Sequence, residues 1–562
     1  MEQIKFVILF IMLLCFSACN EKDWLKETPL DFYSPDNSFN TTAQFQQSLN
    51  GLYDQVRNMI WNTNADLAMG YYCGTDFTFP GSDYPDAKLN NYSATVTPTW
   101  APAQLMWTTV YLQIANANVI LHRLDLPNKV GDADKTIIKG QALFFRAFAY
   151  RLLANLYGGV PLITEEIAAP RRDFVRATRE EVYDQCRIDL EDAIGMLPDI
   201  ENVKDGKISK QAAQHLLTEI YISLKMYPQA ISSATNVITH NGMGLMNSRF
   251  GSGKTVPGDV YGDLFRVNNQ NRSSGNTESI WVLQYDYLSA GSSYTVPMAR
   301  EAIPYYWNAM VNAIAGGNVV AFTSITDAKC GRGIGAIQGT YFYFNTLWGN
   351  DFNNDIRNSK YNIIRDFRID NPKAIGFGKW LVADGYLHPS DTIRRWYPFS
   401  TKVTRVGNFP VDSYLKDANG ARITTALGEY ELNTALANGS YRDEYMFRLA
   451  ETYLLRAEAY LDNNQTDKAA DDINMVRVRA NATPVDASKV DIDYILDERL
   501  RELSYEELRI VTLTRLGKEV ERTRKYNTTT GNRIFDYQNL WPIPYGEIEK
   551  NIDATLEQNP GY

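Results

Sequence analysis

Apolar residues recur at helical spacing through most of this chain. In "FQQSLNGLYDQVRNMI", Phe45, Leu49, Leu52, Tyr53 and Val56 fall at i, i+4, i+7, i+8 and i+11, one face of a helix beginning near Thr42. "LMWTTVYLQIANANVILHRL" (105–124) and "KTIIKGQALFFRAFAYRLLANLY" (135–157) predict two long helices, the second closed by Gly158-Gly159 and Pro161. "REEVYDQCRIDLEDAIGML" predicts another. Thr178 is its N-cap, because a hydroxyl there can accept from an unpaired first-turn amide. "KQAAQHLLTEIYISLKMYPQAISSATNVI" and "DYILDERLRELSYEELRIVTLTRLGK" continue the helical pattern.

Two stretches share the register of a tetratricopeptide-type helix–turn–helix. In the late one, Tyr453, Ala457, Tyr460, Ala469, Ile473 and Val476 take the packing positions; in the early one, Thr218, Tyr221, Ala230 and Val237 take part of them. Small residues there let paired helices approach closely. The two stretches lie far apart, so the reading is a helical scaffold assembled from both ends of the chain with the middle inserted. That middle, roughly 245–435, is rich in Gly, Asn, Ser and aromatics. Short strands are expected at "ESIWVLQYDY" (278–287) and "YNIIRDF" (361–367). Pro542 and Pro544 force an extended run near the end, read as a strap docked over the helices.

The amino terminus changes this picture. The apolar run Phe6–Phe16 follows Lys5 and is too short for a bilayer core, which needs roughly 20 residues, so it fits the core of a secretory signal. Ser17 and Ala18 then precede Cys19, the lipobox pattern of bacterial lipoproteins, in which the thiol is alkylated with diacylglycerol and the chain is cut before it. Cys15 falls in the discarded part and Cys19 is the anchor. The expected division is 1–18 signal peptide, 19–40 lipid-anchored tether and extended arm, 41–244 N-terminal helical part, 245–435 loop-rich insert and 436–562 C-terminal helical part with strap. Residues 41–562 are expected to form one compact body.

Composition removes several function classes. The 562 residues carry a net charge of -10, so no basic surface is available to displace phosphate counterions and nucleic acid is excluded as a partner. Cys15, Cys19, Cys73, Cys186 and Cys330 are odd in number and lack any Cys-x-x-Cys spacing, so neither a zinc site nor a disulfide framework is expected. His122, His215, His240 and His388 read as packed or surface residues. The glycines of "KCGRGIG" lack the strand–helix context of a phosphate loop, and the acidic run around Asp351–Asp355 fits no calcium loop. No cofactor and no metal are expected.

Several segments together resemble the SusD/RagB family of outer-membrane nutrient-binding lipoproteins of Bacteroidota. They are "WLKETPLDFYSPDNSFNTTAQFQQSLNGLYD", "IANANVIL", "GQALFFRAFAYRLLANLYGGVPL", "RATREEVYDQCRIDLEDAIGMLP", "RLAETYLLRAEAYL", "DERLRELSYEELRIVTLTRLG" and the terminal "WPIP" and "QNPGY". The resemblance implies a mainly α fold with four tetratricopeptide-like helix pairs and a loop-rich half carrying short strands. It also implies an outer-membrane lipoprotein, anchored by lipid and facing outward, that sits as a lid over a TonB-dependent (SusC-like) channel. Glu21 and Asp23 are similar to the surface-export signal of such lipoproteins, interrupted here by Lys22. In "EELR", Leu508 stands where relatives often have a Gly–polar step.

The favoured chemistry is non-catalytic capture of an oligosaccharide. Sugar rings expose faces of C–H bonds on which aromatic planes stack, while planar polar groups clamp the hydroxyls. Aromatics comprise 12% of the chain, and those in loops are the candidates. The segment 71–100 offers Tyr72, Phe77, Tyr84, Tyr92 and Trp100, with Asp76 as the hydrogen-bonding group; the middle offers Tyr294 and Tyr341. A peptide or other non-sugar nutrient is an alternative ligand. A glycoside hydrolase would need a pair of carboxylates, and 66 acidic residues let such pairs be chosen at will. No nucleophile elbow, Walker loop or HExxH is present, so no catalytic residue is expected. A peptide-binding adaptor built on the helical repeats is a third reading, with the repeat face expected to hold the channel.

Overall fold

The computed structural model describes residues 38–60, 65–81, 87–287, 298–387, 394–405 and 407–562. The fold is mainly α. The first half contains α1 (Thr42–Ile60), α2 (Ala65–Tyr72), α3 (Tyr92–Thr95), α4 (Ala101–Asp125), α5 (Asp132–Tyr157), α6 (Arg179–Met196), α7 (Lys210–Ser223) and α8 (Tyr227–Ile238). Short helices α9 (Val260–Leu264), α10 (Met298–Ala302) and α11 (Tyr341–Phe344) punctuate the middle. The chain then returns to α12 (Leu449–Asp462), α13 (Thr466–Arg479), α14 (Ile492–Leu503), α15 (Arg509–Arg515), α16 (Glu519–Tyr526) and α17 (Tyr545–Lys550).

Helices α4 to α8 pack in sequence, each on the next, and α8 packs on α12, which packs on α13. The late pair thereby extends the stack begun more than 200 residues earlier. Thr218, Ala230, Val237, Ala457, Ala469, Ile473 and Val476 are all fully buried in it, as the spacing predicts for small and branched packing residues. The junction is also polar: Arg456 donates to Thr235 at 2.9 Å, and His215 meets Thr452 at 2.8 Å.

Local chemistry sets the helix ends. Thr178 accepts from the Glu181 amide at 3.2 Å while the Glu181 carboxylate accepts from the Thr178 amide at 2.7 Å, a reciprocal capping box. Helix α4 starts four residues before the run that its apolar pattern marks, because Pro102 in the first turn needs no amide partner. The run through 210–238 is broken at Lys225, whose φ is 60°, and the run through 492–515 at Tyr505, whose φ is 61°. The break at Lys225 falls in the turn that the helix–turn–helix register places between Tyr221 and Ala230, whereas Tyr505 interrupts a run whose apolar pattern carries no such mark. Leu508, the N-cap residue of α15, is buried against the core.

Among the described residues, eight short strands form four antiparallel pairs: β1 (Thr78–Pro80) with β5 (Ile337–Gly339), β2 (Ser279–Leu283) with β8 (Glu444–Arg448), β3 (Met310–Asn312) with β4 (Asn318–Val320), and β6 (Ile363–Ile364) with β7 (Phe399–Ser400). Strand β6 retains two residues of the seven-residue run expected to be extended. Strand β2 is buried along its whole length and carries Trp281 into the helical core, where the ring meets Phe144, Phe148 and Phe447 edge-on at 5.4, 5.6 and 5.4 Å.

The middle is also fastened by buried charge. Arg357 donates to Asp355, Glu498 and Glu502; Glu502 also accepts from Arg448 and Arg479; Lys402 pairs with Glu506. Asp351 accepts from Arg477 at 2.7 Å. The acidic run 350–355 is a turn with Asn353 and Asn354 exposed, but its Asp351 and Asp355 are buried partners of arginines. Cys73, Cys186 and Cys330 are buried free thiols. Among the described residues, no helix is long and apolar enough to cross a membrane.

Candidate functional site

A cleft of about 660 Å³ opens where three distant segments meet: the strand pair β1–β5, helix α11 and the end of α16 with the residues after it. Register holds its floor together, with Thr78 opposite Gly339, Phe79 opposite Gln338 and Pro80 opposite Ile337. Gly339 is obligatory there, because a Cβ would lie 2.3 Å from the Phe344 ring. Thr340 joins floor to wall. Its amide donates to the Phe77 carbonyl at 2.8 Å, its hydroxyl donates to the Asp76 carbonyl at 3.2 Å, and the same oxygen caps α11 by accepting from Tyr343. From the opposite wall, the Asn527 side-chain amide donates to the carbonyls of Thr75 and Thr78 at 2.8 and 3.1 Å.

The cleft's lining is rich in aromatic rings. Tyr341 projects from the start of α11 with 77% of its surface exposed. Beside it, the rings of Phe342 and Tyr526 stack at 3.7 Å with an interplanar angle of 18°. Lys525 lies 4.9 Å from the Tyr526 ring centre. Gln338, Asn345, Thr346, Thr528 and Thr529 add neutral donors and acceptors. Among the described residues, the lining holds no Asp or Glu.

The other residues singled out from the sequence sit elsewhere. Asp76 is completely buried and cannot meet a ligand. Its carboxylate accepts from Arg509 Nε and Nη2 at 3.0 and 2.7 Å and from Arg522 Nε at 2.7 Å. Burial alone would raise its pKa, but the charges of Arg509 and Arg522 override that and hold it at about 2. Asp76 therefore fastens the 75–80 loop to α15 and α16, and so positions the cleft. Tyr92 is also buried, 2% exposed, with its ring against Gly74; it pins the loop. Tyr72 and Phe77 are core residues. Trp100 is half-buried and meets Trp541 edge-on at 5.0 Å, at the side of a separate shallow depression near Met69 and Leu89. Tyr84, Tyr294 and Cys19 lie outside the described residues.

Phe342 and Tyr526 escaped the sequence reading. Tyr526 closes a helix and so falls outside the loop aromatics taken as candidates, although the Asn-Thr-Thr-Thr run directly after it marks the loop that forms the wall. The partner arginines of Asp76 were likewise invisible, because both lie in a helical pattern near the other end of the chain.

Comparison with known proteins places this architecture. Residues 277–562 match the model of the SusD family, and residues 24–222 match a related model described as "Starch-binding associating with outer membrane". The chain belongs to the SusD family. A relative, the SusD-like protein P25 of Formosa agariphila, is 24% identical over 582 aligned residues, covering 99% of this chain and 98% of that protein. Among solved structures, a laminarin-binding SusD-like protein superposes with a TM-score of 0.66 at 22% identity, covering 93% of this chain and 100% of that one. Surface glycan-binding protein A from Bacteroides thetaiotaomicron, in complex with laminarihexaose, superposes with a TM-score of 0.62 at 18% identity, covering 92% and 100%. At these identities the structural likeness establishes the fold.

Proposed function

We propose that the protein is a non-catalytic surface glycan-binding lipoprotein. It is held at the outer membrane through a lipid on Cys19, captures an oligosaccharide in the Tyr341 cleft and delivers it to a TonB-dependent, SusC-like channel. The observation that carries the reading is the pairing of an exposed Tyr341 with the stacked Phe342 and Tyr526 in an open cleft. An aromatic ring left in water is available to desolvate against the C–H face of a sugar. Binding rather than cleavage is favoured because hydrolysis needs two carboxylates roughly 5–10 Å apart flanking the bond, and none lines the cleft among the described residues. The related family matched by residues 24–222, described as starch-binding in association with the outer membrane, and the laminarin and laminarihexaose named for two structural relatives support a glucan as the first ligand to test.

The test is affinity electrophoresis and titration calorimetry of the full chain against a glycan panel, with chromatography of the incubated glycans. The expected result is retardation by at least one glycan, no shortened products, and about tenfold weaker binding in Tyr341→Ala with an unchanged melting temperature. Glycan binding indifferent to Tyr341→Ala, or the appearance of shortened products, would overturn it. Mass spectrometry of the mature amino terminus is expected to show acylated Cys19, and co-purification from outer membranes is expected to bring down the channel.

A further inference from the structure

A second cavity, of about 170 Å³, borders the strand pair β6–β7, with Ile364 and Thr401 in its lining, and shares no lining residue with the Tyr341 cleft. Its charged lining residues are Arg266, Lys360 and Arg405, and among the described residues it holds no Asp or Glu. Phe265 and Tyr361 supply apolar walls. A water occupies about 30 Å³ in the liquid, so the space holds a tetrahedral or planar oxyanion together with several waters, or the anionic end of a larger molecule.

The cations here depart from the pattern of the fully buried arginines. Arg357, Arg448, Arg499, Arg509 and Arg522 are fully buried, and each meets at least two carboxylates. Arg405 does not. Its Nη1 donates to the Tyr441 carbonyl at 2.7 Å, and its Nε is buried with no hydrogen-bond partner among the described residues. Burial and the nearby charge of Arg442 push its pKa down to about 10. Lys360 is exposed and lies 5.3 Å from the Tyr361 ring centre, with no ion pair among the described residues. Arg266 is 3.4 Å from Asp263, which Arg249 already engages at 2.5 Å. A partly desolvated guanidinium without a counter-ion is costly to maintain, and its planar fork matches an oxyanion in shape and charge.

We propose that this cavity is an oxyanion-binding site that takes a sulfate or carboxylate group on Arg405, with Lys360 adding charge at the rim. The group has two sources, a free inorganic anion or an acidic substituent on a saccharide (a sulfate ester or a uronate). The site is separate from the Tyr341 cleft and does not depend on that cleft's role.

The experiment is calorimetric titration of the full chain with sodium sulfate at constant ionic strength. It is followed by a sulfated, a uronate-containing and a neutral oligosaccharide of equal length. Saturable 1:1 binding of sulfate is expected, weakened at least tenfold in Arg405→Gln, partly restored in Arg405→Lys, and weakened two- to threefold in Lys360→Gln, an exposed position that leaves folding intact. Tyr341→Ala is expected to leave sulfate binding unchanged. An acidic saccharide that binds at least tenfold more tightly than both sulfate and the neutral sugar, with the gain lost in Arg405→Gln, identifies the saccharide as the source; equal affinities for sulfate and sulfated sugar identify the free anion. Absence of sulfate binding together with no preference for acidic over neutral sugars overturns the proposal. So does anion binding that is indifferent to both Arg405→Gln and Lys360→Gln.

Discussion

Arg509 Nη2 donates to Asp76 Oδ2 at 2.7 Å, joining residues 433 positions apart. The loop below the candidate cleft is thereby tied to a helix near the chain's other end. Replacing Asp76 with Asn removes the buried charge that two guanidinia share, leaving Arg509 with Glu507 and Arg522 with Asp493 and Asp497. Breaking a buried pair costs about 3–5 kcal/mol when one partner is left unpaired, so the loss here is expected toward the lower end, about 3 kcal/mol. Urea unfolding of Asp76→Asn is expected to show that loss. Glycan affinity is expected to fall as well, because Thr340 and Asn527 both hydrogen-bond to the backbone of this loop.

Acid is expected to unfold the protein over a defined window. Asp76, Glu219 and Glu498 are each held at about 2: burial raises them, but Arg509, Arg151 and Arg357 respectively, with further arginines, outweigh it. Their folded pKa values lie below the ordinary 3.8 and 4.5. Their stabilisation is therefore fully present above about pH 5 and is lost as pH falls toward 2. Circular dichroism at a fixed urea concentration should show a falling midpoint across that range, with a shallower fall in Asp76→Asn.

Glu519 has the opposite sign. It is fully buried, accepts from Thr523 at 3.2 Å, and burial with the charge of Asp76 raises its pKa well above the ordinary value. The folded state holds this proton more tightly than the unfolded chain, so stability declines as pH rises above about 4.5. Glu519→Gln keeps the shape and removes the proton linkage. Its melting temperature is expected to exceed that of the parent at pH 8 and to converge with it near pH 4.

Gly74 has a φ of 84°, and a Cβ there would sit 2.8 Å from the Tyr92 ring. Gly74→Ala therefore combines backbone strain with overpacking, together about 3 kcal/mol. The expected readout is a lowered urea midpoint with an unchanged m-value.

Tyr526→Phe and Tyr526→Ala separate stacking from mere presence of a side chain. The ring pair with Phe342 is worth about 1 kcal/mol beyond its buried area. Tyr526→Phe is expected to retain stability and glycan affinity. Tyr526→Ala is expected to lose at least 1 kcal/mol in urea unfolding and about tenfold in glycan affinity by calorimetry.

Much of the scaffold was legible because helical period and small packing residues survive in a single sequence: Ala457, Ala469 and Val476 are where the repeat spacing puts them. Tyr341 was legible as an aromatic in a Gly-rich stretch. Asp76 was found as a residue of consequence but given the wrong role, since its chemistry depends on Arg509 and Arg522 and nothing local reveals a partner across hundreds of residues. Tyr92 illustrates the same limit. An aromatic in an irregular segment either faces solvent or plugs the loop from below, and only the position of Gly74 beneath its ring decides between them.

Glu502 accepts charge from Arg357 in the central region and from Arg448 and Arg479 in the helical frame. Anyone building chimaeras from this chain inherits a constraint from that arrangement. A transplanted central region must bring its own equivalents of Asp355, Arg357 and Lys402, or the recipient helices will close around Glu498, Glu502 and Glu506 with part of their counter-charge missing. Exposed loops can be exchanged for new specificity, but these ionic footings must travel with the graft.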